Sequence, residues 1–333
     1  MSFMYRFTIP CLCLLLMAMT FKVPTQPERI KAIGDTEGLS EKLKKAFDPG
    51  DNFEPIAEPK VGDWLAEHKE GGQTFKEFIN SQTNKPDKEH NKIYLQPLWQ
   101  FPKEPNDLLA NLREYTSAFF CLDVAVLTPV DLKNRNFTSR TNPYTQNRQL
   151  LTTDILSFLR QIRPPDAFCI LAITMEDLYP EPSWNFVFGQ ASVAGGVGVY
   201  SFARYDPTFY GQKRTKDYEK VLLRRSCKVL THEMSHMFGL NHCIYYRCVI
   251  NGSNHLEESD ARPLHLCPVC LRKLYHSIRF DVCDRYRRLY RYYQRVGFDE
   301  DGKWVLNRLK WILGAKEAEA FIGQDTKPDA KKD

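Results

Sequence analysis

Residues 231–242 read THEMSHMFGLNH and contain three histidines. His232 and His236 are four residues apart, so on a helix both imidazoles lie on one face and can bind the same metal ion. Gly239 lets the helix end in a sharp turn, because glycine accepts a positive φ, and the turn returns His242 as a third nitrogen ligand. Three histidines leave a fourth coordination position open, which is typical of a catalytic zinc ion.

Glu233 follows the first of these histidines, where it can reach a water on the metal without binding the metal itself. Zinc lowers the pKa of such a water to about 7, so the expected chemistry is hydrolysis. Glu233 would act as the general base and then pass the proton to a leaving amine. The alternative is that the histidines are surface residues of an amphipathic helix, which leaves Gly239 and His242 unexplained.

Four cysteines directly after the histidines predict a second metal site within residues 243–270. The last two form a C-x-x-C pair, and the set is Cys243, Cys248, Cys267 and Cys270. Four thiolates are the ligand set of a closed structural zinc site, so we expect two zinc ions per chain, one catalytic and one structural. Two disulfides or free thiols are the alternative, and His255 and His265 are competing ligands in the same loop.

The region before the histidines predicts a mixed twisted sheet with helices, of the α+β class. Apolar patterns indicate strands at 93–99, 122–127 and Ala167–Thr174, with helices at 107–120 and 150–162 between them. Further on, residues 184–205 predict two short strands, 186–188 and 197–202, around a glycine turn. Three aromatic residues there are candidates for a substrate pocket, although we favour the core: Trp184, Phe186 and Phe188.

The histidine helix is predicted over residues 218–240, and a helical C-terminal part follows it. Apolar residues keep helical spacing from 271 to 293, and a last helix covers about 303–321. Arginines in residues 285–295 are interpreted as the solvated face of a helix rather than a nucleic-acid patch. The chain has 333 residues and a net charge of +5, which gives no strong case for nucleic acid. We expect a monomer without a membrane span.

The predicted domain organisation has four parts. Residues 1–21 form an apolar segment that resembles a secretory signal peptide, although it can also be an atypical start. A loosely helical lead-in, residues 22–90, precedes the metallopeptidase domain of residues 91–315, and a polar tail covers 316–333. Reduced cysteines favour the cell interior. A cleaved signal peptide would instead mean secretion, and only then would the glycosylation motifs at Asn136 and Asn251 matter.

These motifs together resemble the archaemetzincins in their vertebrate forms. The resemblance covers roughly residues 40–315 and rests on the histidine motif, the cysteine spacing and the stretches DLY at 177–179, WNFVFGQAS at 184–192 and GSNHLEE at 252–258. It implies a metzincin-like zinc peptidase with the active-site helix between upper and lower subdomains. It also implies aminopeptidase-like peptide hydrolysis, with residues 197–202 as the edge strand that binds substrate.

One position departs from the family pattern, because Ile250 stands where a methionine usually lies in the turn beneath the metal. Isoleucine is also apolar and of similar bulk, so the packing can survive. Glu233 and the three histidines are intact, which favours an active peptidase. The other hypotheses are a non-catalytic zinc-stabilised module for protein interaction and a zinc hydrolase of another acyl bond.

Overall fold

The structure is a computed structural model that describes residues 21–81, 84–98 and 108–323. The predictions for residues 1–20 and for the end of the tail from 324 fall outside these ranges. The lead-in forms four short helices: α1 (Gln26–Ile33), α2 (Glu41–Phe47), α3 (Trp64–Glu67) and α4 (Phe75–Asn80). A reciprocal capping box starts the last of them, which explains how so short a helix is fixed.

In the part of the chain that the structure describes, two sheets follow the lead-in. Their strands are β1 (Lys92–Pro97), β2 (Asp123–Val126), β3 (Ser139–Thr141), β4 (Arg148–Leu151), β5 (Ala167–Thr174), β6 (Asp177–Tyr179), β7 (Gly189–Ser192) and β8 (Val197–Ser201). The larger sheet has the order β2-β1-β5-β8-β7, in which every neighbouring pair is parallel except β7 with β8. Strand β5 is buried along its whole length, as its continuous apolar sequence predicts.

The second sheet was not anticipated from the sequence. It has three strands in the order β3-β4-β6, each only three or four residues long. The helix predicted at 150–162 begins only at Thr152. Residues 150 and 151 belong to β4 instead, where Leu150 pairs with Leu178 of β6 in parallel register. The predicted strand at 186–188 is wrong, since β7 begins only at Gly189 and Val187 makes an isolated bridge to Leu178.

Helices cover both the middle and the end of the chain. They are α5 (Leu108–Phe120), α6 (Thr152–Ile162), α7 (Tyr218–Met237), α8 (Leu256–Ala261), α9 (Pro268–Ile278), α10 (Val282–Val296), α11 (Asp299–Leu313) and α12 (Ala315–Gly323). The helical spacing from 271 to 293 belongs to two helices, because Arg279 has a left-handed backbone that ends α9. The predicted last helix is likewise divided at Gly314, where φ is 90°.

The lead-in and the C-terminal helices pack together. Helices α1, α2 and α4 contact α9, and α2 also contacts α11. Phe47, Phe78 and Leu271 thereby join one apolar core with the large sheet and α7. The predicted solvated arginine face is wrong for Arg285, which is buried and donates from Nε to the Phe119 carbonyl at 2.6 Å.

The mixed sheets and surrounding helices confirm the α+β prediction. In the part of the chain that the structure describes, none of the helices has the length and apolar character needed to cross a bilayer.

Candidate metal centres

Helix α7 and the turn after it bring the three histidines together. The Gly239 N–H donates to the His236 carbonyl at 2.8 Å, and Leu240 N donates to the Ser235 carbonyl at 3.2 Å. Gly239 has a φ of 87°, so the chain reverses there, as its position in the motif predicts. The Nε2 atom of His232 lies 3.1 Å from Nε2 of His236 and 3.2 Å from Nε2 of His242.

This spacing fits a zinc ion. Zn–N bonds of about 2.0–2.1 Å in tetrahedral geometry separate the nitrogens by about 3.3 Å. Burial lowers the pKa of His236 to about 4 and the pKa of His232 well below its usual value. Both imidazoles are therefore neutral near pH 7, which is the form that binds a metal.

Each histidine has an oxygen partner for its second ring nitrogen. Nδ1 of His232 lies 3.0 Å from the Val249 carbonyl, and Nδ1 of His236 lies 2.6 Å from the Leu240 carbonyl. Nδ1 of His242 lies 2.6 Å from a carboxylate oxygen of Glu70. An acceptor at Nδ1 places the proton there and leaves Nε2 free for the metal, as in other histidine metal sites.

Glu233 lies against the first residue of β7. A Cβ added to Gly189 would be 2.9 Å from the Cδ and Cγ atoms of Glu233, so the strand backbone passes directly over this carboxylate. Burial raises the pKa of Glu233 to about 8, and the positive charge of Arg262 opposes the increase. The carboxylate and the three histidines line the same cleft.

The four cysteines form a second cluster directly behind the histidines. Their Sγ atoms all lie within 4.8 Å of one another, and Cys243 and Cys267 are 3.5 Å apart. A tetrahedral site with Zn–S bonds of about 2.3 Å separates its sulfurs by about 3.8 Å, whereas a disulfide needs about 2.05 Å. The geometry fits a metal with four thiolates and does not fit disulfides.

Neither competing histidine joins this cluster. Nε2 of His255 contacts Asp63 at 3.0 Å, and the ring of His265 stacks on Trp304 with centroids 3.6 Å apart. Asn251 instead organises the cysteine loop, because its side chain accepts from Cys248 N and donates to the Cys243 carbonyl, both at 2.7 Å. Asn251 is thus buried and engaged, which leaves no room for a glycan on this fold.

The cleft over the histidines has a volume of about 1010 Å³. Trp184, Phe186 and Phe188 all contribute to its wall, and Trp184 is 44% exposed. The preferred assignment of these aromatic residues to the core is therefore wrong for Trp184. Its indole stays outside because β7 starts later than predicted and the preceding residues run along the cleft.

The predicted substrate strand is also corrected. Strand β8, within the predicted 197–202, lies between β5 and β7, so both of its edges are already paired. Strand β7 is one of the two edge strands of this sheet, and its residues Gly189, Gln190 and Ala191 line the cleft. The predicted glycine turn does join the two strands, whereas the predicted edge strand at 197–202 is wrong.

Sequence reasoning missed three polar residues near the centre: Glu70, Gln73 and Arg262. Glu70 is 172 residues away from its partner His242, and Gln73 is 168 residues away from its partner Asn241. Arg262 donates to the Asn251 carbonyl and to Ser259 Oγ, beside His232. No local pattern marks Glu70 or Gln73, because their partners are brought near only by the fold.

The mixed sheet, the histidine-bearing helix beneath its edge strand and the open cleft define the class of zinc metallopeptidases. The family model for peptidase family M54 matches residues 125–276. Archaemetzincin-2 of Rattus norvegicus is 41% identical over 84% of this chain and 86% of its own length. The chain belongs to the archaemetzincin family and is a zinc-dependent peptidase.

Two further relatives in sequence agree with this assignment. Archaemetzincin-2 of Homo sapiens is 41% identical over 78% of this chain and 80% of its own length. Archaemetzincin-1 of Mus musculus is 32% identical over 86% of this chain and 60% of its own length. Among solved structures, archaemetzincin from Methanopyrus kandleri is 27% identical, with a TM-score of 0.45, and covers 59% of this chain and 99% of its own.

Proposed function

We propose that this peptidase hydrolyses peptide bonds at a zinc ion held by His232, His236 and His242, with Glu233 as the general base. The single observation that supports this most strongly is the convergence of three Nε2 atoms, with spacings of 3.1 and 3.2 Å, at the floor of the cleft that Glu233 also lines. A second zinc ion, held by Cys243, Cys248, Cys267 and Cys270, is structural, because four thiolates leave no open position.

Zinc bound to the histidines would supply a Lewis acid that polarises the scissile carbonyl and makes water more acidic. The positive charge of a zinc ion at the histidines would lower the pKa of Glu233 again, so its carboxylate can accept a proton from the attacking water and then donate it to the leaving amine. The Val249 and Leu240 carbonyls keep the Nδ1 protons on two of the rings, so those rings stay oriented while the bond breaks.

An extended peptide would bind along β7, because an edge strand offers unpaired backbone groups for strand addition. The aromatic wall at Trp184, Phe186 and Phe188 would then contact substrate side chains. Aminopeptidase-like cleavage is a finer proposal, which a library of peptides with free and acetylated amino termini tests directly. Cleavage near the end of free peptides alone supports it, and equal cleavage of both sets contradicts it.

Zinc counting by native mass spectrometry tests the two metal sites. The unaltered chain is expected to carry two zinc ions, and His236→Ala and Cys267→Ser are each expected to lose one. Only Cys267→Ser should also lower the melting temperature strongly, because the structural site holds the loop of residues 243–270. If the unaltered chain carries a single zinc ion and one of the two substitutions does not remove it, the site that contains the substituted residue is contradicted.

Glu233→Gln tests the general base. The amide cannot accept the proton, so turnover in the peptide library should fall by about 10²–10⁴-fold while both zinc ions stay bound. Unchanged turnover would exclude Glu233 as the base. If neither chain cleaves any peptide although both carry zinc, the proposed hydrolysis of peptide bonds by this centre is wrong.

A further inference from the structure

His242 differs from the other two histidines in how it is held. His232 and His236 are on α7, and backbone carbonyls accept from their Nδ1 atoms. His242 lies in the loop beyond Gly239, and its Nδ1 partner is the side chain of Glu70, at 2.6 Å. The third ligand therefore depends on a residue of the lead-in, within residues 60–74, a segment that we call the strap.

Glu70 is itself fixed by the strap. The indole N–H of Trp64 donates to the same carboxylate oxygen of Glu70 at 2.7 Å. The Trp64 ring also meets the His242 ring edge-on, with centroids 5.0 Å apart, and stacks on His68 at 3.8 Å. The carboxylate thus has one orientation, in which it accepts from both Trp64 and His242.

Trp64 is anchored to the segment between Cys248 and Cys267. Its backbone N–H donates to the Glu258 carboxylate at 2.9 Å. A Cβ at Gly252 would collide with the indole ring, so the ring lies directly on the backbone of that loop. The strap is consequently packed into the metallopeptidase domain rather than attached to its outside.

Gln73 holds the loop that carries His242. Its amide donates to the Gly239 carbonyl at 3.2 Å, and its Oε1 accepts from Asn241 N at 3.2 Å and from Lys273 Nζ at 3.0 Å. Gln73 is buried and Lys273 is on α9, the helix that begins after Cys267. One side chain therefore connects the strap, the histidine loop and the helix of the cysteine site.

We propose that Glu70 is a positioning residue of the catalytic centre, and that the strap makes the lead-in an integral part of the peptidase. The Glu70 carboxylate accepts the Nδ1 proton of His242, which fixes the ring with Nε2 towards His232 and makes Nε2 a better ligand. This inference rests on the proposed function, because it requires that the three histidines hold the metal.

The test compares Glu70→Ala and Glu70→Gln with the control Glu67→Ala, an exposed carboxylate in α3 of the same strap. The zinc dissociation constant of the histidine site is measured by chelator competition, and the visible spectrum is recorded after cobalt substitution. Glu70→Ala should raise the dissociation constant by about 10–100-fold and shift the cobalt spectrum. Glu70→Gln should lie between, because its amide oxygen still accepts from Nδ1 but carries no charge.

Retention of zinc by the cysteine site reports that each variant is folded, and if Glu70→Ala loses it, Glu70→Gln carries the comparison. Unchanged zinc affinity and an unchanged cobalt spectrum in a folded variant would overturn the role of Glu70. The proposed function fails separately, namely if the unaltered chain binds no more zinc than His236→Ala. If Glu67→Ala weakened zinc binding as much as Glu70→Ala, the inference would also be overturned, because the loss would then come from a general disturbance of the strap and not from Glu70.

Discussion

Gly189 has no side chain, and Glu233 occupies the space where one would be. A Cβ at this position would lie 2.9 Å from both Cδ and Cγ of Glu233, closer than such atoms approach in proteins. The first residue of the edge strand therefore sets the position of the proposed base. The glycine is required for close approach to a side chain and not for an unusual φ.

Gly189→Ala should lower kcat by about 10²-fold, because displacement of a catalytic group by about 1 Å is enough for such a loss. The zinc content should remain that of the unaltered chain, since no metal ligand moves. The measurement is peptide turnover together with native mass spectrometry, with Gly323→Ala, at a position with open space around it, as control. Full turnover in Gly189→Ala would mean that Glu233 is not placed by this contact.

At Ile250 the backbone, and not the side chain, makes the hydrogen bonds of the turn. Its carbonyl accepts from Cys243 N at 3.0 Å, and the carbonyl of the preceding Val249 accepts from His232. The side chain is fully buried. The turn beneath the histidines thus keeps its hydrogen bonds whether isoleucine or methionine fills the space, which supports an active site that tolerates this departure from the family pattern.

Asp206 connects the end of the large sheet to the start of α7. It accepts from Thr208 N at 3.0 Å, from Arg214 Nη2 at 2.6 Å and from the Tyr218 hydroxyl at 3.0 Å. Desolvation alone would raise the pKa of Asp206, but these hydrogen bonds outweigh it and lower the pKa to about 2. The ionised carboxylate therefore stabilises the connection between β8 and the histidine helix.

Asp206→Asn should lower the free energy of unfolding at pH 7 by on the order of 1 kcal/mol. The folded pKa lies below the usual value of 3.8, so the contribution is complete above about pH 4 and is lost as the pH falls towards 2. Urea unfolding from pH 7 down to pH 3 should show the difference between the two chains narrowing below pH 4. Asp217→Asn, at an exposed position nearby, is the control. A difference independent of pH would contradict the assignment.

Hydrogen bonds of Arg308 connect the lead-in to the C-terminal helices. This fully buried side chain of α11 donates to the carbonyls of Lys45, Ala46 and Asp48 at 3.0–3.2 Å and to Asn52 Oδ1 at 2.9 Å. These carbonyls are at the C-terminus of α2, where a positive charge is favourable. Two segments that are more than 250 residues apart in the sequence thereby pack in the same protein interior.

Arg308→Leu should lower the free energy of unfolding by about 2–4 kcal/mol, because buried carbonyls lose their donor. Lys303→Leu, an exposed position of α11, should change it little and serves as the control for the loss of charge. Thermal and urea unfolding measure the difference. A single unfolding transition that shifts to a lower temperature and a lower urea concentration would agree with a common interior. Unfolding of the lead-in before the rest of the chain would contradict it.

The two side-chain clusters and the α+β class could be predicted from the sequence, and the structure brings the predicted residues of each cluster together. His232 and His236 are neighbours on any helix, and Gly239 dictates where the chain turns, so local geometry is sufficient. The C-x-x-C pair and the nearby cysteines are similarly local. The buried strand Ala167–Thr174 follows from a continuous apolar run, which needs no knowledge of its neighbours.

Three features depend on the tertiary structure: β7 rather than β8 is an edge strand, a second small sheet forms, and the strap reaches His242. Strand order depends on which backbone groups pair, and apolar periodicity records burial but not the identity of the partner. The contact between Glu70 and His242 spans 172 residues and involves ordinary surface-type side chains. Such contacts leave no local pattern, because they arise from chain segments that meet only after the core has formed.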